Sequence, residues 1–582
     1  VILHTPDSFL TKMEFKAEEV RKRIEEEKKL FLDVPYNAVQ DKLASIQARY
    51  SEAKRLYGCY LMRDAIAKSK ELEQMTEEVY FMNSESRTVE TRGVWIRPFE
   101  TSEQEVDDVL QRLHAMNINT VYLETWFNGY TAFKTENKLT CLNPIYNGFD
   151  VLKAYVDLAK KYDIKIYAWV ENFFAGVNGE GPVIEKKPEW ALISRFGNNA
   201  NYIPDYNAYF NYINPALPEV RDFLSDLYKE LVKKYKIDGI QLDYIRYPAP
   251  NSAKDGIPDD FGYDEYTRQL YMKSKGSSID PINITPQHEL WADWCKFRAD
   301  FINTFVYRVT SEVKSIRPEV LVSADVGAQY DSGPTEKMQE PKDWVGRGYI
   351  DELLPMIYTN DLEKLKHDIV ETKKFTYGKT HMVIGLGAEN IAKGGILSEE
   401  VKAVRELGAS GAAVFEYRRM IGNGFDDELY KGVYQKKAVV STTDPKDVLE
   451  KVFSEIERKM ETIYVPFGGM PIKSASNYKK CLEHISKEYS NKTFKVNIII
   501  KCKSDLEKLL RKIDGDSEIA QEVKNRMIDD INICTNVLDI YQSKTNFMAN
   551  HKADYFTLEV PQGNVAAGDT LQVKVKAAFI EN

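Results

Sequence analysis

The run Asp238-Gly239-Ile240-Gln241-Leu242-Asp243-Tyr244-Ile245-Arg246-Tyr247-Pro248 starts as a strand and ends as a loop rich in arginine and aromatic residues. Side chains alternate along a strand, so Ile240 and Leu242 share one face while Gln241 and Asp243 share the other. The same alternation recurs in other short apolar runs. It sets Trp95 and Arg97 against Val94 and Ile96, and Tyr122, Glu124 and Trp126 against Val121 and Leu123. It sets Tyr167, Trp169 and Glu171 against Ile166, Ala168 and Val170, Ser323 and Asp325 against Ala324 and Val326, and Glu416 against Ala413 and Phe415. In each pair of faces, one ends in a carboxylate, an arginine or an aromatic ring. A barrel that had only to fold would fill its inner layers with branched apolar side chains.

Carboxylates beside tryptophan and tyrosine suit a carbohydrate site. Glycosidic cleavage uses one carboxylic acid to protonate the leaving oxygen and one carboxylate as nucleophile or base. Aromatic faces stack on the apolar faces of sugar rings, and arginine bonds the hydroxyls. Asp243 and Asp325 are the catalytic candidates, because their strands should be neighbours and could hold the carboxyls roughly 5–6 Å apart. Asp325 is assigned the acid role. Trp95, Arg97, Tyr122, Glu124, Trp126, Trp169, Glu171, Arg246, Tyr247, Tyr358 and Glu416 are the substrate-binding candidates.

Each carboxylate also has a structural reading. Asp243 could pin the loop after it through backbone N–H groups, and Asp325 could serve the turn at Val326-Gly327. Glu171 and Glu416 read as sugar ligands or as ion-pair partners of Arg97, Arg246 or Arg418 before they read as proton donors. Trp190, Trp291 and Trp294 fall away from strand ends and are expected in the core, as are the lone Cys141 and Cys295.

The elements that must position these groups follow a βα rhythm. Eight strand candidates are Gly93–Pro98, Thr120–Trp126, Lys165–Glu171, Gly239–Asp243, Val320–Val326, Leu353–Tyr358, His381–Leu386 and Ala412–Tyr417. Amphipathic helices such as Gln104–Met116, Phe149–Tyr162, Glu219–Tyr235 and Trp291–Ile316 separate them. This alternation predicts a (β/α)8 barrel over residues 91–425. All seven tryptophans lie in that span. Residues 1–90 read as a helical bundle and 440–552 as a mainly helical accessory domain. Within the latter, Phe494–Ile500 looks strand-like and Asp505–Gln542 helical. In residues 553–582 the runs Tyr555–Val560 and Thr570–Val575 alternate strictly, as in the first strands of an immunoglobulin-like module.

Five motif groups, in order, resemble the bacterial family-ten glycosyl-hydrolase-like barrel proteins. They are Thr91–Ile96, Tyr167–Val170 with Lys187-Pro188-Glu189-Trp190, Asn214-Pro215 with Glu219-Val220-Arg221, Asp238–Pro248, and Leu354–Tyr358. The resemblance covers roughly residues 91–420. It implies a (β/α)8 barrel, a polysaccharide substrate, a secreted or cell-surface location, and Asp243 as the catalytic carboxylate. Glu171-Asn172 stands where an Asn-Pro-type pair is expected, and Glu416 is an added carboxylate. The expected function is therefore glycoside hydrolysis of a polysaccharide or complex glycan. The alternative is a glycan-binding surface protein on the same barrel, with flanking domains attached to the cell wall.

Composition excludes other classes. The 582-residue chain carries a net charge of -10 with no basic face, which disfavours a nucleic-acid partner. No apolar run is long enough to span a bilayer. The seven histidines form no HExxH or other ligand spacing, so no metal or cofactor is expected. The six cysteines form no CxxC pair, and one bridge among Cys481, Cys502 and Cys534 is the most that is expected. The chain starts on Val1, so the lack of a signal-like start is not read as a location.

Overall fold

The computed structural model describes residues 6–388, 395–550, 556–559 and 574–577. Eight parallel strands close on themselves: β1 (Thr91–Ile96), β2 (Thr120–Phe127), β3 (Lys165–Glu171), β4 (Gly239–Asp243), β5 (Leu321–Gly327), β6 (Glu352–Met356), β7 (His381–Gly387) and β8 (Gly411–Phe415). Each pairs with its sequence neighbours, and β1 pairs with both β2 and β8. Helices between the strands bury one stripe against the outer faces. In Glu103–Ala115 that stripe is Val106, Leu110 and Leu113, and Ser102 caps the first turn by accepting from the Glu105 amide. The (β/α)8 fold expected from the βα rhythm is the fold of residues 91–415.

The strand registers stack the inward side chains in layers, four per layer from alternate strands. Gly93↔Thr120, Trp95↔Tyr122, Tyr167↔Gly239 and Leu321↔Gly239 fix the stagger. The floor layer is Thr120, Gly239, Glu352 and Gly411. Above it come Gly93, Tyr167, Ser323 and Val383, then Tyr122, Gln241, Leu354 and Ala413. A side chain at Gly239 would strike the Tyr167 ring at 2.3 Å, so the bulk of one strand is made possible by the bareness of the next.

Three helices, Pro6–Lys29, Tyr36–Gly58 and Met62–Met82, share a core of Leu10, Met13, Val20, Val39, Leu43 and Leu72. Helices Pro445–Lys459, Ile472–Tyr489, Val496–Asp514 and Gln521–Asn550 share another. The strand expected at Phe494–Ile500 is instead a loop and the first turns of the helix from Val496, whose Ile499, Cys502, Leu506, Leu509 and Ile513 follow helical spacing. The helical stretch expected at Asp505–Gln542 falls in two helices, broken around Gly515. Cys481, Cys502 and Cys534 are free, so no bridge forms there. Phe556–Glu559 and Lys574–Ala577 pair antiparallel, and the rest of the expected C-terminal module lies outside the described residues. Among the described residues no helix is long and apolar enough to cross a membrane.

Both helical bodies meet the floor side of the barrel. Glu85 pairs with Arg526, Asp33 with Lys436 and Arg458, and Asp351 with Lys544. At the floor, Arg405 grips Glu90 through Nε and Nη2 at 2.6 and 2.7 Å, and Arg92 adds a third contact at 3.0 Å. Burial alone would raise the Glu90 carboxyl, but the arginines overcome it and hold it near 2. The opposite end of the barrel, where the strands' C-termini open, carries none of these contacts.

Candidate functional site

The upper layers of the barrel concentrate carboxyls. One layer holds Trp95, Trp169, Asp325 and Gly385. The next holds Glu124, Asp243, Met356 and Phe415, and the mouth layer holds Arg97, Glu171, Gly327 and Gly387. Consecutive strands β2, β3, β4 and β5 therefore each deliver one carboxyl to the same sector. Glu171 and Asp243 are register partners at the last residues of β3 and β4.

Asp243 is held on both oxygens. The Trp169 indole Nε1 donates to Oδ2 at 3.0 Å and the Tyr244 amide to Oδ1 at 2.6 Å. Burial pushes its carboxyl above the ordinary range, while Arg246, the Tyr244 amide and the indole favour the charged form. Arg246 lies over the Tyr244 ring at 4.9 Å.

Arg97 bridges two carboxyls. Its Nη2 donates to Glu171 Oε1 at 3.1 Å, and its Nε lies 3.4 Å from Glu124 Oε1. The guanidinium also sits 5.3 Å from the centre of the Trp169 ring. One cation cannot offset two carboxylates, so one of the pair keeps a proton. Burial raises Glu124 only to about 7, because Arg97 opposes it. Glu171 is held well above the ordinary range by burial and then by repulsion from Glu124 and Asp243.

The remaining expected site residues separate. Asp325 is inside the barrel, as expected, and burial with the charge of Asp243 raises its carboxyl strongly. It lies one layer below Asp243, under Phe415, whose ring is 6.0 Å from Trp95 and 6.3 Å from Trp169. Trp95 and Tyr122 were expected at the mouth; they are lower still or level with Asp325, and the Trp95 indole donates inward to Gln241 Oε1 at 2.8 Å. Trp126 was expected on the inner face and points outward. The register shifts after Glu124, so Trp126 pairs with Val170 and packs against Phe223 of helix Pro218–Lys234. Tyr247 also lies outside the barrel, in the core shared with the outer helices. Glu416 spends its oxygens capping the helix Tyr417–Gly422, accepting from the Arg418 and Arg419 amides. Tyr358 does reach the mouth, stacked on Phe415 at 5.4 Å. Trp190, Trp294 and Cys295 are buried in cores, as expected, whereas Trp291 is half-buried and Cys141 is exposed on the loop after β2.

One component was missed. Between β3 and β4 the chain builds a three-stranded sheet from Phe174–Val177, Asn201–Ile203 and Ala208–Tyr212. Its Phe174 ring stacks on Tyr244, next to Asp243, at 5.2 Å. The signal was present in Asn201-Tyr202-Ile203-Pro204-Asp205-Tyr206-Asn207-Ala208-Tyr209-Phe210-Asn211-Tyr212, a run of aromatics and asparagines too dense for a plain connection.

A cavity of about 670 Å³ lies far from this mouth, between the floor and the helical bodies. Its lining mixes Arg87, Arg405, Arg526 and Lys459 with Glu85, Asp529 and Asp530, much of it paired across the junction. Those contacts join the bodies.

A family model described as glycosyl hydrolase-like 10 matches residues 90–400. The chain belongs to that family. Glycosyl hydrolase DigH of Escherichia coli O6:H1 is 24% identical over 279 residues, covering 44% of this chain and 58% of DigH. Glycosyl hydrolase YngK of Bacillus subtilis is 22% identical over 320 residues, covering 48% of this chain and 56% of YngK. The chain thus spans a little over half the length of these curated relatives. Among solved structures, the catalytic domain of a β-amylase from Paenibacillus polymyxa matches with a TM-score of 0.43 at 12% identity, over 59% of this chain and 98% of its own. An α-L-fucosidase from Paenibacillus thiaminolyticus matches with a TM-score of 0.42 at 17% identity, over 60% and 49%. The family membership and the barrel support a glycosidase-like function.

Proposed function

We propose that the chain hydrolyses glycosidic bonds in a polysaccharide or complex glycan, with Asp243 as nucleophile or base and Glu171 as general acid. The observation that carries this reading is the register pair Glu171–Asp243 at the mouth. One member holds a proton, and the other is supported in its charged form by an indole, an amide and Arg246. Cleavage needs that division of labour between two neighbouring carboxyls. Glu171 takes the acid role given above to Asp325, because Glu171 is in the mouth layer, one above Asp243, and Asp325 lies one layer below it, beneath Phe415. Asp325 then acts on Asp243 from below, as a second buried carboxyl. Arg97, Arg246 and Tyr358 are the sugar-facing groups, and Glu124 shares the proton with Glu171.

Glu171→Gln tests the assignment. It should slow substrates with poor leaving groups by roughly 10²–10⁴-fold, spare activated aryl glycosides, and remove the alkaline limb of the pH–rate profile. Asp243→Asn should abolish turnover on both substrate types while glycan still binds. Equal losses on both types with the alkaline limb intact would take the acid role from Glu171. The competing reading, binding without cleavage, draws on Asp243 having both oxygens engaged within the protein. It requires that the unaltered chain bind glycans and turn over none. A secreted or cell-surface location accompanies the hydrolytic reading, and fractionation of source cells tests it.

A further inference from the structure

The mouth does not end at the carboxyls. From Tyr244, beside Asp243, a file of rings leads outward: Phe174 at 5.2 Å from Tyr244, Phe210 at 4.6 Å from Phe174, and Tyr206 at 5.7 Å from Phe210. Phe174 is buried and Tyr244 and Phe210 are half-buried, but Tyr206 is 63% exposed. Its position is not that of a residue needed for folding, since the same sheet buries Phe174 and Tyr212.

The turn that presents Tyr206 is fixed. Pro204–Tyr206 forms one 3-10 turn, closed by Asn207 in the left-handed region at φ 46°. Asn207 Oδ1 accepts from the Tyr202 hydroxyl at 3.0 Å, and Asn201 ties the sheet to the loop after β4 through Ala249 O and Asn251 Oδ1. A ring exposed on a rigid turn loses little conformational freedom when a ligand stacks on it. The file is one ring wide and edged by polar Asp205 and Asn207, which suits a chain of pyranose rings better than a protein surface.

We propose that Tyr206, backed by Phe210, is a distal sugar-stacking subsite that makes the protein act on glycan chains rather than on single terminal sugars. The subsite rests on the hydrolytic reading above for the direction in which the chain runs, with the scissile bond over Asp243 and Glu171 and a more distant ring over Tyr206. Tyr209 is the internal control. It is 54% exposed on the opposite face of the same sheet, paired with Tyr202 at 5.1 Å, and leads away from the mouth.

The test compares the full chain with Tyr206→Ala, Tyr206→Phe and Tyr209→Ala. The substrates are chito-, cello- and xylo-oligosaccharides of graded length and the matching 4-nitrophenyl monosaccharides. Both kcat/KM and equilibrium binding are measured. Tyr206→Ala should lower kcat/KM for the longest cleaved oligosaccharide on the order of tenfold, the loss of one stacked ring. It should leave the 4-nitrophenyl glycoside unchanged. Tyr206→Phe and Tyr209→Ala should behave as the unaltered chain. A loss independent of length, a loss shared by Tyr209→Ala, or no loss would overturn the subsite. If nothing is cleaved, the same length-dependent weakening in binding would sustain the subsite and remove the hydrolytic reading. Cleavage that is indifferent to Tyr206 would do the reverse. A chain that neither cleaves nor binds these glycans would overturn both.

Discussion

Glu352 is the sharpest test of the layered interior. It stands in the floor layer, fully buried, with the Tyr167 hydroxyl in the layer above as a polar neighbour whose effect burial outweighs. Burial pushes its carboxyl up to about 8, from an ordinary value of 4.5. The folded-state value is raised, so the unfolded chain releases this proton first, and stability falls as pH rises from the ordinary value to the raised one. Below that window both states are protonated and the group costs nothing. At about pH 8 the cost reaches roughly 4 kcal/mol, taking 1.36 kcal/mol for each tenfold step in proton binding. Glu352→Gln keeps the shape and removes the titration. For a cooperative unit of about 350 residues, unfolding entropy converts that difference to about 5 °C in melting temperature. Melting curves of both proteins from about pH 5 to about pH 8.5 should coincide at the acid end and separate steadily above it, with Glu352→Gln the more stable. Curves that stay parallel across the range would refute the argument, because Glu352 would then be hydrated or paired and not buried alone.

Three other outcomes follow from the geometry. Trp169→Phe keeps a ring near Phe415 and Arg97 but removes the indole donor to Asp243, so kcat should fall roughly tenfold or more with a small change in melting temperature; an unchanged kcat would make that hydrogen bond dispensable. Asp325→Asn, one layer below the mouth, should leave both the acid limb of the pH–rate profile and the leaving-group dependence in place, because burial and the Asp243 charge already keep Asp325 neutral where Asp243 titrates. A lost alkaline limb would restore Asp325 as the acid. A fragment of residues 91–425 should fold poorly beside one of residues 84–442, because Arg92 donates to Tyr434 O and Lys436 O and Asn119 to Glu90 O and Ala438 O. Equal melting temperatures for the two fragments would show that these floor contacts contribute little.

The sequence by itself determined the barrel and the strands that bring carboxyls to its interior. Strand period and helix period differ enough that the runs ending at Glu171, Asp243 and Asp325 could be placed within a residue or two of their observed ends. Alternation also put Arg97, Glu124, Glu171 and Asp243 on the inner face. What it could not supply was height. The stagger between strands is a property of the closed sheet, and it alone lifts Glu171 above Asp243 and drops Asp325, Trp95 and Tyr122 beneath it. A one-residue irregularity after Glu124 turned Trp126 outward, which a strict period of two cannot anticipate. Glu416 became a helix cap because the next helix starts directly at the strand's end. The raised carboxyls of Glu124 and Glu171 are likewise tertiary in origin: they depend on burial and on Arg97 meeting two carboxyls, one from β2 and one from β3.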